Sequence, residues 1–289
     1  MHYEGNIIRP PSEARSILLQ ITVGCSHNHC TFCGTYKGQP FRIKDKPTIM
    51  ADIAYAAQHF RNQERLFLCD GDAMIIPQNQ LLDILVEIEN QLPWITRVGT
   101  YANAKSLQTK SLAELEALKT HGLGIIYLGL ESGDDETLQK VDKRVDSATM
   151  IEQSLKVRQV GISLSITAIL GLAGPEHSHS HAQRTGAVLS EIDPEYVGAL
   201  SLMLIPGTPM YADWKQGTFT LEGPKEMLEE LRTMIANTHL SGGLFTANHA
   251  SNYLPIKARL PGEKEAALKL IDMALEDDLP LKPEWLRAL

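Results

Sequence analysis

The chain has 289 residues, enough for one large α/β domain or two small ones. Its formal net charge of −8 argues against a nucleic-acid partner, because phosphate binding requires clustered Lys and Arg. No apolar run reaches the length of a membrane span, and the N-terminal residues lack the basic and apolar parts of a signal peptide. We therefore expect a cytoplasmic protein without a membrane partner, whose four cysteines stay reduced.

Short β-branched or leucine-rich runs alternate with stretches of helical period along most of the chain. The runs predict six strands, at Ser16–Val23, Arg65–Cys69, Trp94–Thr100, Gly124–Leu130, Ile162–Leu170 and Tyr196–Met203. The helical stretches are Thr48–Phe60, Gln78–Asn90, Ser111–His121, Ser147–Gln159, His181–Glu191, Pro224–His239 and Pro261–Leu275. Successive strand–helix units predict an α/β fold with a parallel sheet and right-handed crossovers.

Three regions follow from this pattern. We expect residues 1–15 to form an N-terminal extension and residues 16–240 to form the main α/β domain. After residue 241 the alternation breaks, so residues 241–289 are expected to form a small helical appendage that covers the active site. In open and closed parallel sheets alike, ligands bind at the carboxyl ends of the strands, where the motifs described next also fall.

A loop after the first predicted strand holds Cys25, Cys30 and Cys33. Three thiolates this close suit one iron–sulfur cluster, and a cubane cluster with three cysteine ligands keeps one iron open for chemistry. The alternative is a zinc site with His27, His29 or Cys69 as the fourth ligand. Zinc sites usually pair two short ligand hairpins, and the sequence has no second CxxC motif.

The loop, with Phe32 directly before Cys33, resembles the cluster loop of radical S-adenosylmethionine (SAM) enzymes. The resemblance implies that Cys25, Cys30 and Cys33 ligate a 4Fe–4S cluster and that SAM binds its open iron. It also implies a partial (β/α)6 barrel. One departure is the first gap between cysteines, which is four residues long here and usually three in that family.

Asp70, Gly71 and Asp72 follow the second predicted strand, where that family has a Gly-Gly-Glu motif that holds the amino group of SAM. The resemblance implies this role for the three residues, with Asp72 in place of the glutamate. The alternative is an acidic turn that merely closes the strand. Cys69 lies beside the motif, and we expect it to be a small buried apolar side chain rather than a cofactor contact.

The stretch Gly129–Leu138 and the Lys143-Arg144 pair after it resemble the coproporphyrinogen-oxidase, elongator and methylthiotransferase branches of the family. There an acid and a later basic residue contact the ribose and carboxylate of SAM. The resemblance implies these roles for Glu131, beside Ser132, and for Lys143, with Arg144 as the alternative cation. An acid accepting ribose hydroxyls and a cation meeting a carboxylate are chemically sensible pairings.

Two later segments extend the resemblance. The fifth predicted strand contains Thr167 and runs into a glycine turn, like the strand that flanks the adenine of SAM in the family. The sixth contains Met203 and ends in a Pro-Gly-Thr-Pro turn that the family also has. By this resemblance we expect Thr167 and Met203 to contact the cofactor.

Two polar clusters lie outside these motifs. His177, His179 and His181 recur at alternate positions, and we expect them to be solvated rather than to bind a metal. Asn248, His249 and Asn252 lie in the polar segment Phe245–Tyr253 and are our substrate-contact candidates, with a network of turn and cap residues as the alternative.

The resemblance implies an enzyme that cleaves SAM reductively to a 5′-deoxyadenosyl radical, which abstracts hydrogen from a small or medium-sized organic substrate. An electron donor such as flavodoxin or ferredoxin is implied as a partner. Only Cys69 lies outside the loop, so we expect no second cluster, and we expect no separate RNA- or cobalamin-binding domain. The alternatives are a non-catalytic carrier of a cluster or haem with this fold, and a variant enzyme that cleaves a different C–S bond of SAM.

Overall fold

The computed structural model describes residues 1–288. The strands in this part are β1 Ile17–Gln20, β2 Thr22–Val23, β3 Arg42–Ile43, β4 Arg65–Cys69, β5 Arg97–Ala102, β6 Leu123–Glu131, β7 Ser163–Leu170, β8 Tyr196–Ser201, β9 Leu244–Ala247 and β10 Ile256–Arg259. The α-helices are α1 Lys46–His59, α2 Gln78–Gln91, α3 Ala104–Gln108, α4 Leu112–Thr120, α5 Asp135–Lys140, α6 Ser147–Gln159, α7 Ser178–Ile192, α8 Pro209–Gln216, α9 Pro224–Ala236 and α10 Lys264–Leu275.

Across residues 1–288, eight of these strands form one sheet in the order β1-β4-β5-β6-β7-β8-β9-β10. The pairs β1–β4, β4–β5, β5–β6, β7–β8 and β8–β9 are parallel, and β10 is antiparallel to β9. Strands β2 and β3 form a separate antiparallel pair. The predicted α/β class with a mostly parallel sheet is confirmed.

The chain divides into two compact units. Unit 1 comprises Met1–Asn28, Thr35–Leu128 and Gln153–Leu164. Unit 2 comprises His29–Gly34, Gly129–Glu152 and Ser165–Leu289. In unit 1, Phe67, Cys69, Ile125 and Tyr127 form a buried cluster. In unit 2, helices α7 and α9 pack against each other, and His181 on α7 and Glu230 on α9 are buried.

All six predicted strands and all seven predicted helices are present, with ends shifted by a few residues. The predicted strand Ser16–Val23 is divided into β1 and β2, and the short elements β3, α3, α5, α8, β9 and β10 are not among the predicted ones. Strand β9 has only four residues and extends the parallel sheet, so residues after 241 contribute two strands as well as the predicted helix. Runs this short carry too little periodicity to be recognised.

Three helices, α1, α3 and α4, begin at residues whose side chains cap the first turn. Ser111 and Glu114 form a capping box at α4, in which each side chain accepts a hydrogen bond from the other residue's backbone N–H. Asp45 caps α1, and Asn103 caps α3 directly after β5. No helix within residues 1–288 combines the length and apolar character needed to cross a membrane.

Candidate active site

The three predicted cluster cysteines follow strand β2 in one loop, and each is partly buried. From Cys30 onward the backbone of the loop is held in unit 2. The Thr31 N–H donates to the Val141 carbonyl at 3.0 Å, and the Thr31 carbonyl accepts from Met210 N–H at 3.1 Å. Val141 directly follows α5, so this part of the loop is tied to the segment that carries Lys143.

The other end of the loop contacts the predicted SAM amino-group motif inside unit 1. The Gly71 N–H donates to the Gly24 carbonyl at 3.2 Å. A Cβ added to Gly71 would lie 2.9 Å from Tyr36 Cε2 and 3.0 Å from Cys25 Cβ. Gly71 therefore allows the turn after β4 to approach the start of the cysteine loop, which a side chain at this position would prevent.

Asp72 is buried next to this contact and is only partly satisfied. Its Oδ2 accepts hydrogen bonds from Ser26 Oγ at 2.5 Å and Asn103 Nδ2 at 2.7 Å. Its Oδ1 is buried and has no hydrogen-bond partner among the described residues. Burial raises the pKa of Asp72 to about 6, against which the hydroxyls of Ser26 and Ser106 and the backbone and side-chain amides of Asn103 act. An acceptor oxygen left open in this way fits a donor such as the ammonium group of SAM.

Asp70, the first acid of the motif, is also buried, and its Oδ1 likewise has no hydrogen-bond partner among residues 1–288. Its Oδ2 accepts from Gln20 Nε2 at 2.7 Å, and its backbone N–H donates to Thr22 Oγ1 at 3.1 Å. Burial raises the pKa of Asp70 to about 6 as well. These bonds fix the turn to strands β1 and β2.

In unit 2, Glu131 and Lys143 form a nearly buried ion pair, with Lys143 Nζ 2.9 Å from Glu131 Oε1. Glu131 ends β6 with a φ of 64°, a left-handed conformation that costs a non-glycine residue about 1–2 kcal/mol. Lys143 follows Asp142, whose φ is 54°, and its N–H bonds back to the Leu138 carbonyl at 2.9 Å. This helix ending fixes the backbone of Lys143 after α5.

Arg144, the alternative cation, is exposed and forms a bidentate pair with Asp142, at 2.8 and 3.0 Å. Ser132 is fully buried, and its Oγ lies 2.7 Å from His181 Nδ1. The structure therefore separates the two adjacent basic residues, because Lys143 lies against the predicted ribose acid and Arg144 lies at the surface.

The expectation that all three histidines are solvated is wrong for His181. It lies in the first turn of α7, is fully buried, and its Nε2 is 3.1 Å from the Ile169 carbonyl. The sequence reading began this helix at His181, whereas it begins at Ser178, which places His181 on the inward face. His179 is exposed and His177 is partly buried.

Thr167 lies on the partly exposed face of β7. It is in register with Gly198 on β8, which is in register with Thr246 on β9. A Cβ at Gly198 would meet only Leu200 Cδ1, at 3.9 Å, so this row of side chains leaves open space above β8. Met203 follows β8 and is also partly exposed. Both predicted cofactor contacts are therefore accessible.

The remaining predicted residues differ in exposure. Cys69 is buried, and burial raises the pKa of its thiol, which agrees with a small apolar role. Asn252 is buried, its Nδ2 donating to the Ala199 carbonyl at 2.9 Å and its Oδ1 accepting from Ser201 Oγ at 3.0 Å. This network favours the turn-and-cap alternative for Asn252. Asn248 is exposed and His249 is partly buried, and their substrate role stays a prediction.

Asn103 is a residue of this site that the sequence reading missed. Its Oδ1 caps α3 by accepting from Ser106 N–H at 2.9 Å, while its Nδ2 donates to Asp72. The signal was an asparagine directly after a strand, a common N-cap that gave no reason to connect it to Asp72.

Among residues 1–288, no three His, Cys, Asp or Glu side chains are grouped as ligands of a single metal ion.

A family model of the radical SAM superfamily matches residues 19–184, which is more than half of the chain. The chain therefore belongs to the radical SAM superfamily, and the predicted family is confirmed. The match covers the cysteine loop and the segments around Asp72, Glu131 and Lys143.

Two curated relatives are similar to part of the chain. It is 23% identical over 202 residues to 4′-phospho-dehydrooxetanocin synthase of Priestia megaterium, covering 62% of this chain and 27% of that protein. It is 24% identical over 184 residues to the haem chaperone HemW of Bacillus subtilis, covering 62% of this chain and 47% of that protein. The chain thus spans about a quarter and about half the length of these relatives.

Solved structures of the family have the same fold. The cobalamin-dependent enzyme OxsB, with aqua-cobalamin and SAM bound, matches with a TM-score of 0.54 and 18% identity, covering 78% of this chain and 41% of that chain. The methyltransferase TsrM from Kitasatospora setae, with cobalamin and a [4Fe–4S] cluster bound, matches with a TM-score of 0.54 and 16% identity, covering 80% and 39%. SAM is bound in the OxsB structure and a [4Fe–4S] cluster in the TsrM structure, and the likeness of this chain to both is one of fold.

Proposed function

We propose that this protein is a radical SAM enzyme that acts on a small or medium-sized organic substrate. Cys25, Cys30 and Cys33 ligate a 4Fe–4S cluster whose open iron binds SAM. When bound, the cluster and SAM together supply reductive cleavage of SAM to a 5′-deoxyadenosyl radical, with electrons from a donor such as flavodoxin or ferredoxin.

The observation that carries this proposal is the contact between the start of the cysteine loop and the turn after β4. Gly71 makes the close approach, and Asp72 keeps one buried oxygen without a partner. Ser26 and Asn103 hold the other oxygen and so orient the carboxylate. Asp72 then accepts a hydrogen bond from the amino group of SAM through Oδ1, a charge-assisted contact beside the loop.

Glu131 and Lys143 complete the cofactor contacts in the proposal. Glu131 accepts hydrogen bonds from the ribose hydroxyls, and the Lys143 ammonium binds the carboxylate of SAM. Their ion pair and limited exposure, of 13% and 9% for the two side chains, keep both charges oriented before the cofactor arrives. Thr167 and Met203 lie beside the adenine.

A second candidate function is a carrier of haem or of a cluster without SAM cleavage. The likeness to HemW, whose name describes a haem chaperone, favours it. The residues around Asp72 favour the enzyme, since an oriented carboxylate with an open acceptor has no evident use in a carrier.

The test is anaerobic reconstitution with iron and sulfide, then reduction with dithionite in the presence of SAM and mass analysis of the nucleoside products. We expect 5′-deoxyadenosine and methionine. Methylthioadenosine would instead indicate cleavage of a different C–S bond. A reconstituted protein that leaves SAM intact and binds haem would overturn the proposal in favour of the carrier.

A matched pair of cysteine variants tests the ligand assignment. Cys30→Ala is expected to lose the visible and electron paramagnetic resonance spectrum of the cluster and all SAM cleavage. Cys69→Ala changes the same side chain at a buried position outside the loop and is expected to keep both. An intact cluster spectrum in Cys30→Ala would show that the loop is not the ligand set.

A further inference from the structure

A small cavity in unit 2, beside helices α7 and α9, is lined by four glutamates, namely Glu222, Glu226, Glu229 and Glu230. Its volume is about 190 Å³, smaller than the roughly 300–1,000 Å³ of pockets for drug-sized ligands. No Lys or Arg is among the residues described as lining it. The cavity belongs to none of the motifs discussed above, and the proposed function does not use it.

Glu230, which also lines the cavity, has a hydrogen-bond partner at each carboxylate oxygen. Its Oε1 accepts from Gly171 N–H at 2.8 Å, and its Oε2 accepts from Ser178 Oγ at 2.5 Å. His181 Nε2 lies 3.4 Å from Oε1, and hydrogen bonding and charge from Glu230 raise the pKa of His181 against the opposite effect of burial. Glu230 thus has backbone, hydroxyl and imidazole partners within the fold.

Glu222 has no such set of partners. The residue is 4% exposed, and neither carboxylate oxygen makes a hydrogen bond of normal geometry within the described part of the chain, although the Ser178 hydroxyl and the Glu230 carboxylate lie beside it. Burial, followed by the charge of Glu230, raises the pKa of Glu222 to about 7. A carboxylate that loses both water and protein donors costs free energy, unless a donor from outside the chain binds it.

We propose that this cavity binds the primary ammonium group of a small aliphatic amine, with Glu222 as its carboxylate partner. An ammonium group has three N–H donors, enough for Glu222 and for the Thr233 hydroxyl that also lines the cavity. A single metal ion suits the site less well, because no three acidic or imidazole side chains within residues 1–288 are grouped as its ligands. Glu226 and Glu229, exposed at the rim, add negative charge that attracts the cation.

Putrescine is the probe, titrated by calorimetry into the full reconstituted protein at constant ionic strength, without SAM and without reductant. We expect saturable binding. The Glu222→Gln variant should bind at least about tenfold more weakly, the loss that corresponds to one charge-assisted hydrogen bond. Glu191→Gln removes the same charge from an exposed position on α7 outside the cavity and should bind like the wild type.

Proton release provides a second readout that does not depend on the variant folding. Near pH 7, a cation that binds Glu222 should displace its proton, so the measured heat should change with the ionisation heat of the buffer. Absence of saturable binding, equal binding by Glu222→Gln, or binding of Mg²⁺ in place of putrescine would each overturn the proposal. The experiment involves no SAM cleavage, so its failure is distinct from failure of the proposed function.

Discussion

Asp72 in unit 1 and Glu222 in unit 2 are both buried carboxylates with an open acceptor, and they differ in how the protein supports them. In unit 1, Asp72 has one oxygen held by Ser26 and Asn103 and the other without a partner. In unit 2, neither oxygen of Glu222 has a hydrogen bond of normal geometry among residues 1–288, and the Ser178 hydroxyl and the Glu230 carboxylate lie beside it. Because Ser26 and Asn103 hold one oxygen of Asp72, its other oxygen has a fixed orientation, as binding of a specific ligand requires. The carboxylate of Glu222 is not held in this way.

The largest effect on cofactor binding is expected from a substitution of Asp72. Asp72→Asn keeps the shape but replaces the charge, and its amide can present N–H groups to the ammonium of SAM. We expect SAM to bind about 10- to 100-fold more weakly, corresponding to about 1.5–3 kcal/mol for a hydrogen bond to a charged group. Equilibrium binding of SAM to the reconstituted, unreduced protein measures this.

The control for that variant is Asp83→Asn. It removes the same charge from an exposed carboxylate that pairs with Lys46 on the surface of unit 1. Both variants should keep the cluster spectrum. Equal SAM affinity in Asp72→Asn and wild type would mean that the open oxygen of Asp72 does not face the cofactor.

The second test concerns Glu131, a carboxylate of unit 2 that already forms an ion pair with Lys143. Lys143→Met removes the cation beside Glu131, and we expect SAM affinity to fall about tenfold because the carboxylate of SAM loses its counter-charge. Arg144→Met removes the adjacent charge, which the structure places at the surface against Asp142, and should change affinity less than about twofold. If instead Arg144→Met has the larger effect, the ribose and carboxylate contacts are misplaced.

The part of the site that the sequence could predict is the part with a motif directly after a strand. Cys25, Asp72 and Glu131 each lie in a stretch that resembles the family at a strand end, and long runs such as β6 and β7 were found with little error. Spacing favours Lys143 and keeps Arg144 as the alternative, because spacing alone cannot show that a helix ending turns one residue inward and the next outward.

Features that depend on distant pairing could not be predicted. Asn103 bonds Asp72 across 31 positions, and Glu230 bonds Gly171 across 59 positions, without any local pattern that connects them. His181 was expected in solvent because its burial depends on where α7 starts and on Ser132, 49 positions earlier. A buried polar network of this kind follows from tertiary packing, which single-sequence periodicity does not contain.

The smallest expected effect concerns pH and stability in unit 2. Glu222 is faced by Glu226, Glu229, Glu230 and His179, with His181 behind Glu230. Because folding raises the pKa of Glu222 to about 7, its contribution to stability is present below its unfolded pKa and is lost as the pH rises through 7. The raised pKa of His181 acts in the same direction, so its contribution is also lost as the pH rises.

Without amine, we therefore expect the thermal midpoint of the wild type to fall by about 3 °C between pH 5.5 and pH 8, roughly what 1 kcal/mol produces in a chain of this size. Glu222→Gln cannot ionise, so it should fall less and should melt above the wild type at pH 8. Calorimetry of both proteins, with Glu191→Gln as control, measures this. Putrescine should raise the midpoint of the wild type most at pH 8, where Glu222 is charged. A Glu222→Gln variant that melts below the wild type at pH 8 would show that the carboxylate of Glu222 has a partner within the fold, and the contrast with Asp72 would then fail.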